Sequence, residues 1–444
     1  MKNILVIGAG RSATSLITYL LEHAETEDWQ VTVADFQEAL AVEKAGDHPR
    51  SRAIQFDVKN EAQCEAEIKA ADLVVSLLPP HMHLIPARQC LAHATHLVTA
   101  SYVSEEMEAL DAEAKAAGLI FLNESGADPG IDHMSAVDMI LRIKESGGHV
   151  TAFRSYCGAI VAPESLNLWG YKFTWAPRNI VLAGQGIARY LRGGLIKYLP
   201  YHHLFRRQEV IEVPGYGKFE SYANRNSLKY IPLYDLEGAG TIYRATLRHS
   251  GYCSMWQAFV EIGLTADHYQ MDATEGMSYR DYLFSFINRQ PGMDDRQSLA
   301  HFLKEAPDSP VVEKLVALDL LSTEKTYAKA GASPADVLEQ ILLEKWVFEE
   351  DDKDMVVMQH KVDYERDGKN YRLTASMVDV GRDHDQTAIA RTVGLPLGMC
   401  VRRILRGEVS RTGVLIPNFP DLCAPILKEL EDYDIRFEES EEEL

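Results

Sequence analysis

The sequence predicts an α/β protein of two or three domains, and three observations lead to this fold class. The chain has 444 residues, about three times the length of an average domain. Residues 1–125 alternate short apolar runs with longer stretches that have the apolar spacing of helices. Hydrophobic residues make up 46% of the chain and charged residues 25%, which is typical of globular proteins with a sizeable core.

The charge and cysteine content exclude several classes of protein. Lys and Arg number 45 against 66 Asp and Glu, so the formal net charge is −21. Because so acidic a chain repels phosphate backbones, we expect no nucleic-acid partner. No apolar run approaches the roughly 20 residues of a membrane span, and the N-terminus lacks the pattern of a signal peptide. The six cysteines form no CxxC pair, which favours free thiols and a cytoplasmic location without a membrane partner.

A glycine-rich turn follows the first predicted strand, Ile4–Ile7. Residues Gly8–Ala13 match G-x-G-x-x-A, and helix-spaced apolar residues come next. In this motif the first glycine permits a tight turn, the second lets backbone approach a pyrophosphate, and the helix N-terminus supplies N–H donors. The sequence therefore predicts a Rossmann dinucleotide-binding domain over residues 1–125, with a tight turn that binds no ligand as the alternative.

The second predicted strand ends in an acidic residue, Asp35. An Asp at this position can accept hydrogen bonds from both ribose hydroxyls of adenosine, and it repels a 2′-phosphate. The next residues, Phe36 and Gln37, offer no guanidinium for such a phosphate. We therefore expect NAD rather than NADP as the cofactor, with a solvated Asp at a strand end as the alternative.

Four more apolar runs complete the predicted parallel sheet: Ala53–Val58, Leu73–Leu78, His96–Ala100 and Leu119–Leu122. Ligands of such sheets bind beyond the carboxyl ends of the strands. The predicted cofactor-binding residues are Gly8, Gly10, Arg11, Ser12, Ala13, Asp35, Asp57, Val58, Ser76, Leu77, Ala127, Asp128 and Pro129.

Several motifs in the middle of the chain occur in the order of a known family. They are G-A-D-P-G-I-D-H at Gly126–His133, S-Y-C-G at Ser155–Gly158, A-P-E-S at Ala162–Ser165, G-Y-K-F-T-W at Gly170–Trp175, N-R at Asn224–Arg225 and T-L-R at Thr246–Arg248. The run resembles the saccharopine dehydrogenases (L-glutamate-forming), or saccharopine reductases, over essentially the whole chain. The chain departs from the family pattern at two places. It has Asp35-Phe36 where NADP-using members of the family have Cys-Arg, and it has Ala127 where many relatives have a bulkier residue.

The resemblance implies an oxidoreductase of lysine metabolism that acts on the secondary amine of saccharopine. Hydride passes to the nicotinamide cofactor, and the resulting imine is hydrolysed to L-glutamate and 2-aminoadipate semialdehyde in a reversible reaction. Two alternatives stay open: a related imine-reducing enzyme such as carboxynorspermidine dehydrogenase, and an NAD-binding protein without enzymatic activity. Relatives suggest a homodimer. No metal is assigned, because the histidine pairs lack a third ligand at a recognisable spacing.

The predicted site residues follow from the sheet edge and from the resemblance. Asp128 can contact the substrate amine or order a water, unless it caps the next helix. Tyr102 can bond the substrate or the nicotinamide ribose, and the resemblance makes Cys157 an acid–base or packing residue. Because bidentate guanidinium groups suit the three carboxylates of saccharopine, arginines are expected to bind them. The implied substrate-binding residues are Ser101, Tyr102, Asp128, Arg225, Thr246, Leu247 and Arg248, and Trp175 borders cofactor or substrate unless it packs in the core.

The rest of the chain is expected to form the substrate-binding part. Residues 126–255 and 347–382, with 401–444, are predicted to form an α+β domain, and 256–346 a helical insertion. Residues 383–400 are predicted to form a helix that is interrupted or kinked by Gly394 and Pro396 and returns to the Rossmann domain. A hairpin is expected around Asp367-Gly368, and the Glu-rich C-terminus reads as a solvated tail. The active site is expected in the cleft between the domains.

Overall fold

The computed structural model describes all 444 residues. In chain order, the strands are β1 (Lys2–Ile7), β2 (Trp29–Asp35), β3 (Ser51–Gln55), β4 (Leu73–Ser76), β5 (His96–Thr99), β6 (Ile120–Leu122), β7 (His149–Val161), β8 (Ile187–Arg192), β9 (Leu195–Pro200), β10 (Glu209–Val213), β11 (Gly217–Ala223), β12 (Thr241–Arg248), β13 (Asp354–Arg366), β14 (Lys369–Val380), β15 (Gly413–Leu415) and β16 (Glu438–Glu443).

The α-helices are α1 (Thr14–Ala24), α2 (Glu38–Ala45), α3 (Glu61–Lys69), α4 (Leu84–His93), α5 (Glu105–Glu108), α6 (Asp111–Ala116), α7 (Ile131–Glu145), α8 (Pro177–Val181), α9 (Tyr201–Leu204), α10 (Tyr230–Leu233), α11 (Tyr252–Ile262), α12 (Tyr279–Phe284), α13 (Asp295–Leu303), α14 (Pro310–Val316), α15 (Pro334–Lys345), α16 (Ala388–Leu405) and α17 (Pro420–Leu430). None of them combines the length and the apolar character that crossing a bilayer requires.

The chain divides into two compact units. The first comprises residues 1–150, 233–235 and 362–444, and the second comprises residues 151–232 and 236–361. The first unit therefore contains the C-terminal residues 401–444, which the sequence had assigned to the substrate domain.

A seven-stranded sheet forms the centre of the first unit. Its strands are all parallel, in the order β15-β6-β5-β4-β1-β2-β3. The six predicted strands are present, and β15 adds a seventh at the β6 edge. The central strands β1 and β4 are short apolar runs because helices cover both faces of a parallel sheet. The α/β fold class with an N-terminal Rossmann-type sheet is therefore confirmed.

Helix α16 packs on α1 at short distance, and two glycines make this possible. A Cβ atom on Gly394 would lie 2.5 Å from the backbone nitrogen of Leu16, and one on Gly398 would lie 2.5 Å from Cδ1 of Tyr19. The helix runs without a break from Ala388 to Leu405. The expected interruption at Gly394 and Pro396 is therefore absent, and Gly394 allows the close approach of α1.

The first unit also contains the end of β13 with β14 and β16. The predicted hairpin turn is present, and both Asp367 and Gly368 have positive φ values, 54° and 74°, as a tight primed turn requires. The Glu-rich C-terminus forms β16, which pairs antiparallel with β14. The segment is exposed, as expected, but it is a strand and not a free tail, because β14 offers a free edge and cations such as Lys369, 3.0 Å from Glu443, compensate its charge.

The second unit combines a mixed sheet with the helical stretch. Its strands run in the order β10-β11-β12-β7-β13, with β8 and β9 attached to β12. β12 is parallel to β7 and antiparallel to β11. Helix α15 begins after Ser333 in a capping box with Asp336, and Pro334 lies in its first turn. Buried aromatic rings, among them Trp346 at 5.4 Å from Tyr171, form part of the core.

Candidate active site

The glycine turn has the geometry that a bound phosphate requires. Gly8 has φ +106°, a conformation that favours glycine, and a Cβ atom there would lie 3.2 Å from the carbonyl oxygen of Leu77. By contrast, a Cβ on Gly10 would meet no atom within 4 Å, so backbone at this point faces open space. The adjacent Arg11 is exposed and makes no ion pair. Open backbone, a helix start and a free guanidinium together fit an anionic nucleotide.

Asp35 is held by the backbone around it. Its Oδ2 accepts a hydrogen bond from the Ala9 N–H at 2.8 Å, and its Oδ1 accepts one from the Gln37 N–H at 2.8 Å. Both carboxylate oxygens therefore stabilise the glycine turn and the end of β2. The acid therefore has a structural role that does not require a ribose.

The two residues expected to border the adenine differ in their placement. Asp57 is half-buried, and its Oδ1 accepts a hydrogen bond from the N–H of Lys59 at 2.9 Å. Val58 is buried and packs in a core cluster with Phe56. The side chain of Val58 is therefore turned into the core, and of the two residues Asp57 alone offers a polar side chain to a ligand.

A histidine connects the ends of β4 and β5. The Nδ1 atom of His83 lies 2.8 Å from Oγ of Ser76, and its Nε2 lies 2.7 Å from Oγ of Ser101. Burial, reinforced by the neighbouring His81, lowers the pKa of His83 to about 4, so its imidazole is neutral near pH 7. The sequence analysis considered His83 only in the pair His81-x-His83, to which it assigned no metal, and the partners of His83 in the structure are two predicted site residues.

Tyr102 and Asp128 meet at the carboxyl edge of the parallel sheet. The hydroxyl of Tyr102 donates to Oδ1 of Asp128 at 3.0 Å, and Tyr102 is 38% exposed. Helix α7 begins after Gly130 without a side-chain cap. Asp128 therefore does not cap α7, and it forms a pair with Tyr102 that can take up and release a proton.

Behind this pair lies a buried network that sequence reasoning missed. Nε2 of His133 lies 2.8 Å from Oε2 of Glu124, and its Nδ1 lies 2.7 Å from the hydroxyl of Tyr234. The other oxygen of Glu124 accepts from the N–H of Val103 at 3.1 Å. Glu124 thus fixes the loop that carries Ser101 and Tyr102. The available sequence signals were the position of Glu124, two residues after the sixth strand, and the presence of His133 at the end of the Gly126–His133 motif.

The remaining cofactor candidates also lie at this edge. Leu77 is half-buried and its N–H bonds to the carbonyl of Ile7. Ala127 and Pro129 are buried beside Asp128 in the turn before α7. The carbonyl groups of Ala127 and Pro129 accept hydrogen bonds from the N–H groups of Asp132 and Gly126, which fixes the turn.

The second unit contains a buried cation without an acidic partner. Arg248 is 3% exposed, and its guanidinium lies 5.2 to 5.7 Å from the ring centres of Tyr171, Tyr222 and Tyr252. Its Nε is buried without a hydrogen-bond partner. The cross-strand acid Glu220 does not pair with it, because Glu220 accepts from the N–H groups at the start of α11. The site therefore has an unneutralised positive charge.

The other predicted residues of the second unit are placed as follows. Arg225 is exposed with φ +31° and forms no ion pair. Thr246 and Cys157 are register partners on β12 and β7, where Cys157 is buried. Leu247 is fully buried, whereas Trp175 is 37% exposed and so is not a core residue.

Comparison with known proteins gives matches over the whole chain. The family model of the saccharopine dehydrogenase NADP binding domain matches residues 4–122, and that of the saccharopine dehydrogenase C-terminal domain matches residues 126–435. A saccharopine dehydrogenase [NADP(+), L-glutamate-forming] of Schizosaccharomyces pombe is 32% identical, with 99% of each chain covered. The enzyme of the same name from Saccharomyces cerevisiae is 32% identical, with 97% of each covered.

These findings correct the expected cofactor. The matching domain model describes NADP binding, and the relatives carry NADP(+) in their names. The expectation of NAD was therefore wrong. Its basis was the acid at the end of β2, and both oxygens of Asp35 are engaged with the backbone of Ala9 and Gln37.

A solved structure agrees with the sequence matches. The apo saccharopine dehydrogenase (L-Glu forming) from Saccharomyces cerevisiae superposes with a TM-score of 0.90 and 30% identity, covering 100% of both chains. Both family models, full-length relatives and a full-length structural match point to the same group of proteins. The chain belongs to the saccharopine dehydrogenase family.

Proposed function

We propose that this protein is an NADP-dependent, L-glutamate-forming saccharopine dehydrogenase. It converts saccharopine, NADP⁺ and water to L-glutamate, 2-aminoadipate semialdehyde, NADPH and a proton, and the reaction is reversible. The observation that carries the proposal is Arg248, a buried cation without an acidic partner, because a substrate with three carboxylates can neutralise it. Full-length relatives named for this activity support the same assignment.

The cofactor site belongs to the first unit. Bound NADP supplies the hydride acceptor. The open backbone at Gly10 and the start of α1 suit the pyrophosphate, and the free guanidinium of Arg11 suits a phosphate. Ser12, Leu77 and the 127–129 turn are further contacts that we propose for the cofactor.

The pair of Tyr102 and Asp128 performs the acid–base work. The secondary amine must lose a proton before the adjacent carbon releases a hydride, and a carboxylate is a suitable acceptor. Asp128 accepts a hydrogen bond from the Tyr102 hydroxyl, which orients the carboxylate at the sheet edge. After oxidation, the same pair can orient the water that attacks the imine carbon. Cys157 needs no covalent role in this scheme.

The second unit supplies the groups that bind the carboxylates. Arg248 and Arg225 are the guanidinium groups without ion pairs among the predicted substrate residues. A guanidinium can hold a carboxylate through two parallel hydrogen bonds. Thr246 and the backbone of Leu247 lie beside Arg248 on β12, so they are the neighbouring contacts.

The deciding experiment measures formation of reduced nicotinamide from saccharopine with NADP and, in parallel, with NAD. Turnover with NADP preferred is the expected result. Turnover with NAD alone would contradict the cofactor assignment, and NADP binding without turnover of saccharopine would contradict the substrate.

Substitution Arg225→Ala tests the carboxylate contact. We expect the KM for saccharopine to rise roughly tenfold to a hundredfold, because hydrogen bonds to charged groups contribute about 1.5–3 kcal/mol, while the KM for NADP stays unchanged. Arg207→Ala removes another exposed guanidinium of the second unit and serves as the control. An unchanged KM for saccharopine in Arg225→Ala would exclude Arg225 from the site.

We further propose a homodimer in the cytoplasm. The hairpin of β8 and β9 exposes large apolar side chains, including Ile187, Leu195, Ile196 and Tyr198, and all six cysteines are free. Sedimentation equilibrium of the wild type and of Tyr198→Lys tests the dimer. A monomeric wild type at micromolar concentration would exclude it.

A further inference from the structure

The buried histidine between β4 and β5 has a defined pattern of hydrogen bonds. Its Nδ1 bonds to Oγ of Ser76 and its Nε2 to Oγ of Ser101. Because the imidazole is neutral, it carries one N–H, and each ring nitrogen is either a donor or an acceptor. Two tautomers are thus conceivable, and the two serines determine which one forms.

Ser76 fixes the tautomer. It is completely buried, and His83 Nδ1 is the hydrogen-bond partner of its hydroxyl. If Nδ1 donated to Ser76, the hydroxyl proton of Ser76 would be buried without an acceptor, which is costly. Ser76 therefore donates to Nδ1, and the imidazole proton lies on Nε2.

The proton on Nε2 determines the role of Ser101. Nε2–H donates to Oγ of Ser101, so the Ser101 hydroxyl proton is left without an acceptor in the protein. Unlike Ser76, Ser101 is only half-buried. Its hydroxyl is consequently a donor that is available to water or to a ligand, and an anionic acceptor suits it best.

We propose that Ser76 and His83 are positioning residues that fix Ser101 as a hydrogen-bond donor to one carboxylate of the substrate. This inference rests on the proposed function for the identity of the ligand. The tautomer itself rests on the hydrogen bonds of the ligand-free protein. Ser76 was predicted as a cofactor contact because it lies at a strand end. In this proposal its side chain instead orients His83.

The test compares single and double substitutions by steady-state kinetics. Ser101→Ala is expected to raise the KM for saccharopine about tenfold, because a donor to a charged group is lost, with the KM for NADP unchanged. Ser76→Ala removes the hydrogen bond that fixes the His83 tautomer, and it is expected to raise the KM for saccharopine severalfold. In the Ser101→Ala background, Ser76→Ala should add nothing, since both act through one hydroxyl.

Two His83 variants separate positioning from packing. In His83→Gln the side-chain amide can still donate to Ser101, so the KM for saccharopine should stay near that of the wild type. His83→Leu removes the donor and should resemble Ser101→Ala. Ser298→Ala is the control, because it deletes another fully buried hydroxyl that accepts one hydrogen bond. It should change neither the KM for saccharopine nor the KM for NADP.

Nitrogen NMR of the ligand-free protein tests the tautomer without any substrate. With ¹⁵N-labelled histidine, the His83 signals are identified by their loss in His83→Gln. A pyridine-type Nδ1 and a protonated Nε2 are expected in the wild type, and a mixture of the two tautomers is expected in Ser76→Ala.

Two results would overturn the inference. One is a protonated Nδ1 in the wild type, and the other is additive effects of Ser76→Ala and Ser101→Ala on the KM for saccharopine. A wild type that does not oxidise saccharopine but shows the expected nitrogen signals would overturn only the proposed function and the carboxylate ligand.

Discussion

At the scale of single residues, His83 gives the protein a pH-dependent stability. Burial lowers its pKa from 6.5 to about 4, so between these values the unfolded chain binds a proton that the folded protein does not. Stability contributed by neutral His83 is therefore present above pH 6.5 and lost as the pH falls toward 4. The wild type should lose about 1.4 kcal/mol more per pH unit in this window than His83→Gln.

Urea unfolding at several pH values measures this difference. The exposed His301→Gln is the control and should keep the pH dependence of the wild type. Parallel curves for wild type and His83→Gln would show that His83 titrates normally in the folded protein.

Also at this scale, the sequence predicts which residues reach the sheet edge but not their partners. Ser101, Tyr102 and Asp128 could be predicted because parallel strands end on one side of a sheet. The bond between His133 and Tyr234 joins residues 101 positions apart, and no local pattern records it. The free charge of Arg248 likewise depends on where Glu220 directs its carboxylate.

At the scale of elements, the contact of α16 with α1 should control the stability of the first unit. An alanine at position 394 would place its Cβ 2.5 Å from the Leu16 nitrogen, and backbone cannot easily move away. We expect Gly394→Ala to destabilise the protein by about 1–3 kcal/mol through overpacking. Helix propensity alone predicts the opposite sign, since Ala favours a helix by about 1 kcal/mol over Gly.

Thermal or chemical unfolding of the variant provides the measurement. Gly240→Ala is the matched control, because a Cβ there meets no atom closer than 3.8 Å. If Gly394→Ala were more stable than the wild type, α16 and α1 could move apart without a loss of folding free energy.

Elements with a local signal could be predicted, and those defined by a distant edge could not. The hairpin turn at Asp367-Gly368 and the cap at Ser333 are encoded by neighbouring residues. β15 and β16 are short or highly charged, and each exists because it pairs with an edge far away in the sequence. Pairing with β14 therefore overrides the low strand propensity of a run of Glu residues.

At the scale of the whole molecule, most predicted cofactor residues belong to one unit. Except for Trp175, they lie in residues 1–150, within the first unit. NADP should therefore stabilise the folded chain by mass action. At a concentration of about 100 times its Kd the expected gain is about 2.7 kcal/mol, which raises the Tm by a few degrees.

Differential scanning calorimetry of the full chain, with and without NADP, measures this shift. Arg11→Ala should reduce it, because the exposed guanidinium that we assign to a phosphate is lost while the fold around the glycine turn is unchanged. NAD at the same concentration should give a smaller shift than NADP, because it lacks the 2′-phosphate. Equal shifts for both nucleotides would show that the 2′-phosphate contributes nothing to binding, and an unchanged response in Arg11→Ala would remove this residue from the phosphate site.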